Sequence, residues 1–311
     1  MSAAPAALPR PIRYGGRFAP SPTGPLHFGS LIAALASCCD ARAAGGTWRV
    51  RIEDVDEPRS RPGAERAILD KLQQYGFVWD GPVVRQSGRS AAYEHALARL
   101  RSADAVYACT CTRRELEMAP LGPTGERIHS RTCRKPAGEV RTGRAQASLR
   151  VRVDGSVVSF VDLLQGPQRQ DLRSDVGDFV VRRADGLHAY QLAVVVDDAW
   201  QAMTTIVRGA DLLSSTPRQI HLQRLLGLPT PDYLHIPVAI DATGEKLSKQ
   251  TQAPPLPDDA IPALLAAWRF LDQRPPDAHP ATVADFWSFA VRAWSRLRLP
   301  PVAMLPAPRD C

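Results

Sequence analysis

Hydrophobic spacing changes period several times along the first two hundred residues. Residues 47–52, TWRVRI, place Trp48, Val50 and Ile52 at alternate positions, the period-2 pattern of a strand with one buried face. Residues 63–75 shift to a helical period: Ala64, Ile68, Leu72 and Tyr75 share one face, and Gly76 stands where a C-cap belongs. A further helix is expected around Tyr93, Leu97 and Leu100. A smooth apolar run from near Gly29 predicts an earlier helix, with Cys38 and Cys39 as small core residues inside it. Strands separated by helices of this length imply right-handed βαβ units and a parallel sheet.

Residues 109–147 break this rhythm with Pro, Gly, Arg and three cysteines, and read as an insertion. Strand patterns resume at SLRVRV (148–153) and SVVSFVDLL (156–164). The segment 190–199, YQLAVVVDDA, reads as a continuously apolar buried strand with acids at its C-terminal end. From Ala253 onward, prolines separate short helical patterns, ALLAAWRFL and FWSFAVRAWSRL, which suggests a small helical C-terminal region. The expected division is a leader (1–12), the first half of an α/β domain (13–108), the insertion (109–147), the second half (148–252) and the helical region (253–311). Neither internal repeats nor a long low-complexity run is visible.

Composition narrows the class without naming a function. At 311 residues, with 44% apolar and 23% charged residues, the chain has the make-up of an ordinary soluble globule with a real core. No stretch reaches the roughly 18 uninterrupted apolar residues that span a bilayer. The N-terminal MSAAPAALPRPIRY has no apolar core of signal-peptide length, so the cytoplasm is the expected compartment. The net charge of +7 suits either a solvated basic surface or a polyanionic partner such as nucleic acid.

Candidate chemistry sits in three places. In GRFAPSPTGPLHFGS, Pro20, Pro22 and Pro25 stiffen the approach to the helix near Gly29, while Gly24 and Gly29 leave room for close backbone contact. A helix N-terminus with unpaired N–H groups is a ready anion site, and His27 adds a donor suited to phosphate. The bland alternative is a strand–turn–helix joint capped by Ser30. Far downstream, GEKLSKQ (244–250) sets Lys246 and Lys249 three apart around Ser248, a spacing that could grip a polyphosphate or could be an ordinary solvated loop. The third place is CTC (109–111) with HSRTC (129–133): Cys109, Cys111, His129 and Cys133 suit one tetrahedral structural Zn²⁺. Free buried thiols beside an incidental histidine are the alternative, and a disulfide framework does not suit a cytosolic chain.

Together, His27-Phe28-Gly29-Ser30 and Lys246-Leu247-Ser248-Lys249-Gln250 resemble the paired signatures of class I aminoacyl-tRNA synthetases. The flanks RFAPSPTGPLHFGS and RIEDVDEPR look like the glutamyl branch of that class, and the resemblance runs from about residue 13 to 250. It implies a Rossmann-type doubly wound parallel sheet with a zinc-binding insertion. It departs from the pattern at Ser30, in place of the second histidine, and at Gln250, in place of the final serine. His129 stands where the zinc-bearing subset often has tyrosine. By resemblance, Arg17, Ala19, Ser21, Glu53, Tyr190 and Arg208 bind glutamate. His27, Gly29, Ser30, Lys246, Ser248 and Lys249 bind ATP with Mg²⁺, and His27, Lys246 and Lys249 act in catalysis.

Only about 60 residues follow the lysine loop, too few for the anticodon-reading domain of a full glutamyl synthetase. The shortened branch with a zinc insert activates glutamate and attaches it to the queuosine base in the anticodon of tRNA(Asp). One Zn²⁺ per chain and a monomer are expected. A truncated enzyme charging the tRNA 3′ end and a non-catalytic tRNA-binding relative are the competing readings.

Overall fold

The computed structural model describes residues 13–123, 125–134, 147–247 and 253–308. The leader, residues 135–146 of the insertion, and Ser248, Lys249 and Gln250 lie outside them. Strand β1 (Gly15–Phe18) leads into helix α1 (Phe28–Ala43), which returns the chain to β2 (Thr47–Ile52). The two strands are parallel, with Gly15 opposite Thr47 and Phe18 opposite Val50. Helix α2 (Ala64–Gln74) and a short β3 (Val84–Arg85), parallel to β2, extend the same unit. Helix α3 (Ser90–Ser102) then reaches β4 (Val106–Cys109), beyond which the insertion opens with a one-turn helix α4 (Arg113–Glu117). The Glu115 amide donates to the Thr112 hydroxyl and the Thr112 amide to the Glu115 carboxylate, a closed capping box.

After the insertion come β5 (Ser148–Val151), antiparallel to β4, and the hairpin of β6 (Val157–Asp162) and β7 (Gly166–Asp171). The short helix α5 (Leu172–Asp175) and β8 (Val180–Arg182), antiparallel to β5, follow. Helix α6 (Tyr190–Trp200), β9 (Thr205–Gly209), α7 (Thr216–Leu225) and β10 (Asp232–Ile236) form a second unit in which β10 runs parallel to both β9 and β6. The Thr204 amide donates to the Gly15 carbonyl at 2.9 Å, which sets the start of β9 beside β1. The chain ends with β11 (Val238–Ile240), α8 (Ala260–Phe270), α9 (Val283–Ala293) and β12 (Met304–Pro306), the last parallel to β11.

The expected elements at 47–52, 63–75 and around Tyr93 form β2, α2 and α3. Trp48, Val50 and Ile52 are fully buried, as are Ile68 and Tyr93. Gly76 has a φ of +74°, and a Cβ there would meet Val283 Cγ1 at 2.5 Å, so both backbone and packing require glycine. The segment 190–199 is not a strand; it is helix α6. Leu192, Ala193, Val194 and Val195 are all buried, and a helix covered on nearly every side shows no 3.6-residue period. Burial thereby overrides the strand preference of its three valines.

Among the described residues two large apolar clusters fill the body of the molecule, beside a small third one at the insertion. One joins α1, β1, β2 and α2 to α8 and α9, with Trp48, Leu35, Trp268 and Phe286 fully buried within it. The other lies among α3, α6 and α7. Asp40, near the end of α1, is 3% exposed and accepts from Tyr14 Oη, Trp294 Nε1 and Arg296, which fastens the final segment to α1. No described helix is long and apolar enough to cross a membrane.

Candidate active site and metal centre

A cavity of about 730 Å³ opens at the carboxyl ends of β1, β2 and β9. Arg17 comes from β1, Glu53 from just past β2, Arg208 from β9 and Tyr190 from the first residue of α6. Ala19, Ser21, His27, Gly29, Ser30 and Lys246 share its wall. The structure therefore gathers every predicted glutamate and ATP residue except Ser248 and Lys249, which lie outside the described residues.

Buried ion pairs fix the floor. Asp198 Oδ1 accepts from Arg17 Nε at 3.1 Å and from Arg51 Nη1 at 2.7 Å. Arg51 Nη2 reaches Glu53 Oε1 at 3.0 Å, and Arg51 is 0% exposed. Burial alone would raise the Asp198 carboxyl, yet Arg17 and Arg51 hold it below the usual carboxylate range. For Glu53 burial prevails and pushes the carboxyl up, with Arg51 and Arg17 opposing. A ligand ammonium beside Glu53 would oppose that rise and favour the carboxylate form.

Arg208 is held by three neighbours: His235 Nε2 at 3.0 Å, Thr216 Oγ1 at 2.9 Å and Gln219 Oε1 at 2.8 Å. His235 Nδ1 in turn pairs with Asp162 Oδ2 at 2.6 Å. Burial brings His235 down to about 4, so its neutral ring donates to Asp162 through Nδ1 and accepts from Arg208 through Nε2. The buried Nη1 of Arg208 has no hydrogen-bond partner among the described residues, and the residue lines the cavity. An Arg oriented from behind with one donor unspent suits a carboxylate.

His27 is the N-cap of α1 with extended backbone (φ −123°, ψ 175°), and it lines the cavity with Gly29 and Ser30 of the helix's first turn, whose amides have no intrahelical acceptor. The cap is His27, not Ser30. A Cβ on Gly29 would stand 3.1 Å from His27 Cε1 and 3.2 Å from the Leu247 carbonyl, so the two distant motifs meet at this glycine. The lysine loop leaves β11 as a tight turn: the Asp241 carboxylate accepts from the Thr243 and Glu245 amides, and the Leu247 amide returns to Ala239 O at 2.8 Å. Lys246 Nζ pairs with Asp211.

In the insertion, the donor atoms of Cys109, Cys111, His129 and Cys133 all lie within 4.8 Å of one another. His129 Nε2 stands 3.2 Å from Cys109 Sγ and 3.3 Å from Cys111 Sγ. Four such donors fit around one ion whose bonds run about 2.0–2.3 Å. Burial, reinforced by Arg150, lowers His129 to about 4, so the ring is neutral and able to ligate. Its Nδ1 is 3.1 Å from Tyr107 Oη, which donates to Asp178 at 2.7 Å. The Arg131 amide also reaches Nδ1 at 3.1 Å, so contacts from Tyr107 and Arg131 fix the orientation of the ring. The cluster can hold a metal ion.

Comparison with known proteins identifies this arrangement. The family model described as tRNA synthetases class I (E and Q), catalytic domain, matches residues 15–255. A protein of Aromatoleum aromaticum named glutamyl-Q tRNA(Asp) synthetase is 54% identical over 95% of this chain and 93% of its own. The chain belongs to the glutamyl-Q tRNA(Asp) synthetase family. A member from Pseudomonas aeruginosa PAO1 with the same name is 51% identical over 95% of this chain and 98% of its own. A glutamate tRNA ligase of Elizabethkingia meningosepticum, solved in complex with its amino acid, shares the fold at a TM-score of 0.75 and 23% identity. It aligns over 95% of this chain and 67% of that one.

Three residues that hold this chain's cavity in shape escape sequence reasoning. Arg51 sits in a strand whose alternation gives no sign that a guanidinium is inside. Asp198 and His235 act only through arginines distant in sequence. Asp198→Ala leaves Arg17 and Arg51 buried with a missing partner and is expected to cost about 3–5 kcal/mol, read as a lower denaturant midpoint at unchanged slope. For the metal centre, burial and the neighbouring thiols push Cys111 up to about 12, so ion binding must expel protons. Zn²⁺ added to metal-free protein should release protons, bind more weakly as pH falls, and bind poorly to Cys133→Ser; pH-independent binding would contradict this ligand set.

Proposed function

We propose that this protein activates L-glutamate with ATP and transfers it to the queuosine base in the anticodon of tRNA(Asp). The observation that carries this is one cavity holding paired arginines, a buried carboxylate and a helix N-terminus, in a chain that matches the family's members over nearly their whole length. Glutamate has two carboxylates and one ammonium. Arg208 and Arg17 each suit a carboxylate, Glu53 suits the ammonium, and Tyr190, Ala19 and Ser21 close the space around them.

Activation is attack of the glutamate α-carboxylate on the α-phosphorus of ATP with departure of pyrophosphate. His27 and the first amides of α1 stabilise the α-phosphate, and Lys246, Ser248 and Lys249 hold the leaving pyrophosphate. Positioning and charge neutralisation supply the rate, with no covalent enzyme intermediate. Mg²⁺ bound with ATP would supply further neutralisation of the phosphates. The metal in the insertion is a structural Zn²⁺, because three cysteines and a histidine leave no open position for water or substrate. A tRNA substrate sets the protein in the cytoplasm.

Arg17, Glu53 and Arg208 are held by the protein's own ion pairs and hydrogen bonds, so glutamate-dependent pyrophosphate exchange into ATP should proceed without tRNA. Exchange that appears only on adding tRNA would contradict this. Lys249→Ala should lower kcat for adenylation by about a hundredfold to a thousandfold with KM for glutamate little changed, since its charge acts on the leaving group. Arg208→Ala should mainly raise KM for glutamate. A Lys249→Ala enzyme with wild-type kcat removes that residue from the mechanism.

A further inference from the structure

A side chamber of about 150 Å³ lies where the loop after β1 meets the loop after β2. Ser21, Thr23, Glu53, Asp56, Arg59 and Ser60 line it, so it offers hydroxyls, carboxylates and a guanidinium and no aliphatic or aromatic side chain. Four of these residues also line the main cavity, which makes the two spaces continuous. Backbone bonds set its walls: Glu53 N to Pro20 O at 3.0 Å, Arg61 N to Pro22 O at 2.9 Å, and Arg59 N to Asp56 O at 3.0 Å. Arg183 Nη1 donates to Asp56 Oδ1 at 3.0 Å and fixes that carboxylate from outside. The Ser60 hydroxyl is shielded from solvent and has no hydrogen-bond partner among the described residues. A buried hydroxyl in that state costs free energy that a hydrogen-bonding ligand recovers.

We propose that this chamber is the acceptor subsite, receiving the vicinal cis-diol on the cyclopentene ring of queuosine. The proposal rests on the function given above. A carboxylate that accepts from ring hydroxyls is a standard means of holding a diol, here Asp56, and the Ser60 hydroxyl completes the bonding of the second hydroxyl. An apolar group would leave the buried Ser60 hydroxyl unpaired, and a phosphate would meet two carboxylates. The space suits a five-membered ring with two hydroxyls and not a whole nucleoside. Glu53 belongs to both walls, and the ammonium it accepts shares a carbon with the activated carbonyl. A hydroxyl entering here therefore arrives beside the carbonyl carbon. Its oxygen bonds to that carbon, the bond from carbon to phosphate oxygen breaks, AMP leaves with the electron pair, and the hydroxyl proton passes to the departing phosphate.

The test uses full-length Ser60→Leu, which fills the chamber, and Asp56→Asn, which keeps its shape. Pyrophosphate exchange should stay within about twofold of wild type in both, while glutamylation of queuosine-containing tRNA(Asp) falls about tenfold or more. In wild type, cis-cyclopentanediol should inhibit transfer in competition with tRNA and leave exchange intact, and Ser60→Leu should lose that inhibition. Wild-type transfer in both variants, or no inhibition by the diol, overturns the subsite. Should Ser60→Leu lose exchange, Asp56→Asn and the diol decide. Wild-type protein that exchanges pyrophosphate but never modifies the tRNA overturns the underlying function instead.

Discussion

The buried carboxylate of Asp198, shared between Arg17 and Arg51, is the constraint on which the site depends. Guanidinium groups at 4% and 0% exposure are costly to bury, and only a partner of opposite charge at hydrogen-bond distance makes their placement tenable. Asp198 comes from α6, Arg17 from β1 and Arg51 from β2, so the one carboxylate aligns three elements that are distant in sequence. Arg51 then passes the constraint on to Glu53, and the cavity floor is set before any ligand enters. Arg208 is held separately but by the same device, a polar chain through His235 to Asp162. The fixed Arg17 and Arg208 guanidiniums and the buried Glu53 carboxyl give the cavity charges that match a dicarboxylate with an ammonium.

The insertion is held on a different principle. Its apolar cluster among the described residues is small, built from Tyr107, Cys109 and Cys133 with Cys111 against it, so three of its four packing residues are also candidate metal ligands. Asp178 supplies the rest of the anchorage, accepting from Tyr107 Oη, Arg134 and the Val153 amide. Burial would raise this carboxyl, but Arg134 and Tyr107 keep it below the usual range. With so little apolar burial among the described residues, the binding energy of an ion held by these donors would help to order the segment. The outer hydrogen bond from His129 to Tyr107 connects that energy to the body of the protein.

Much of this was legible in the chain. Alternation at Trp48, Val50 and Ile52 and the helical period from Ala64 to Tyr75 mark elements with one buried face, and such elements declare their period. The spacing of Cys109, Cys111, His129 and Cys133 likewise marks them as a candidate ligand set, and the fold brings their donor atoms within 4.8 Å of one another. Residues 190–199 were read as a strand because a fully covered helix and a buried strand present the same apolar run, and only neighbours in space separate them. Arg51, Asp198 and His235 left no local signal, since a buried charge looks like a surface charge until its partner is placed beside it. Legibility ends where a residue's role is set by long-range pairing.

Delivery of glutamate to an anticodon base and delivery to the end of the acceptor stem can be separated on the RNA itself. The most direct measurement is transfer of labelled glutamate to queuosine-containing tRNA(Asp) from which the 3′-terminal adenosine has been removed, beside intact tRNA(Asp) lacking queuosine. Full labelling of the first and none of the second is the expected result. Labelling that follows the terminal adenosine and ignores queuosine would contradict it.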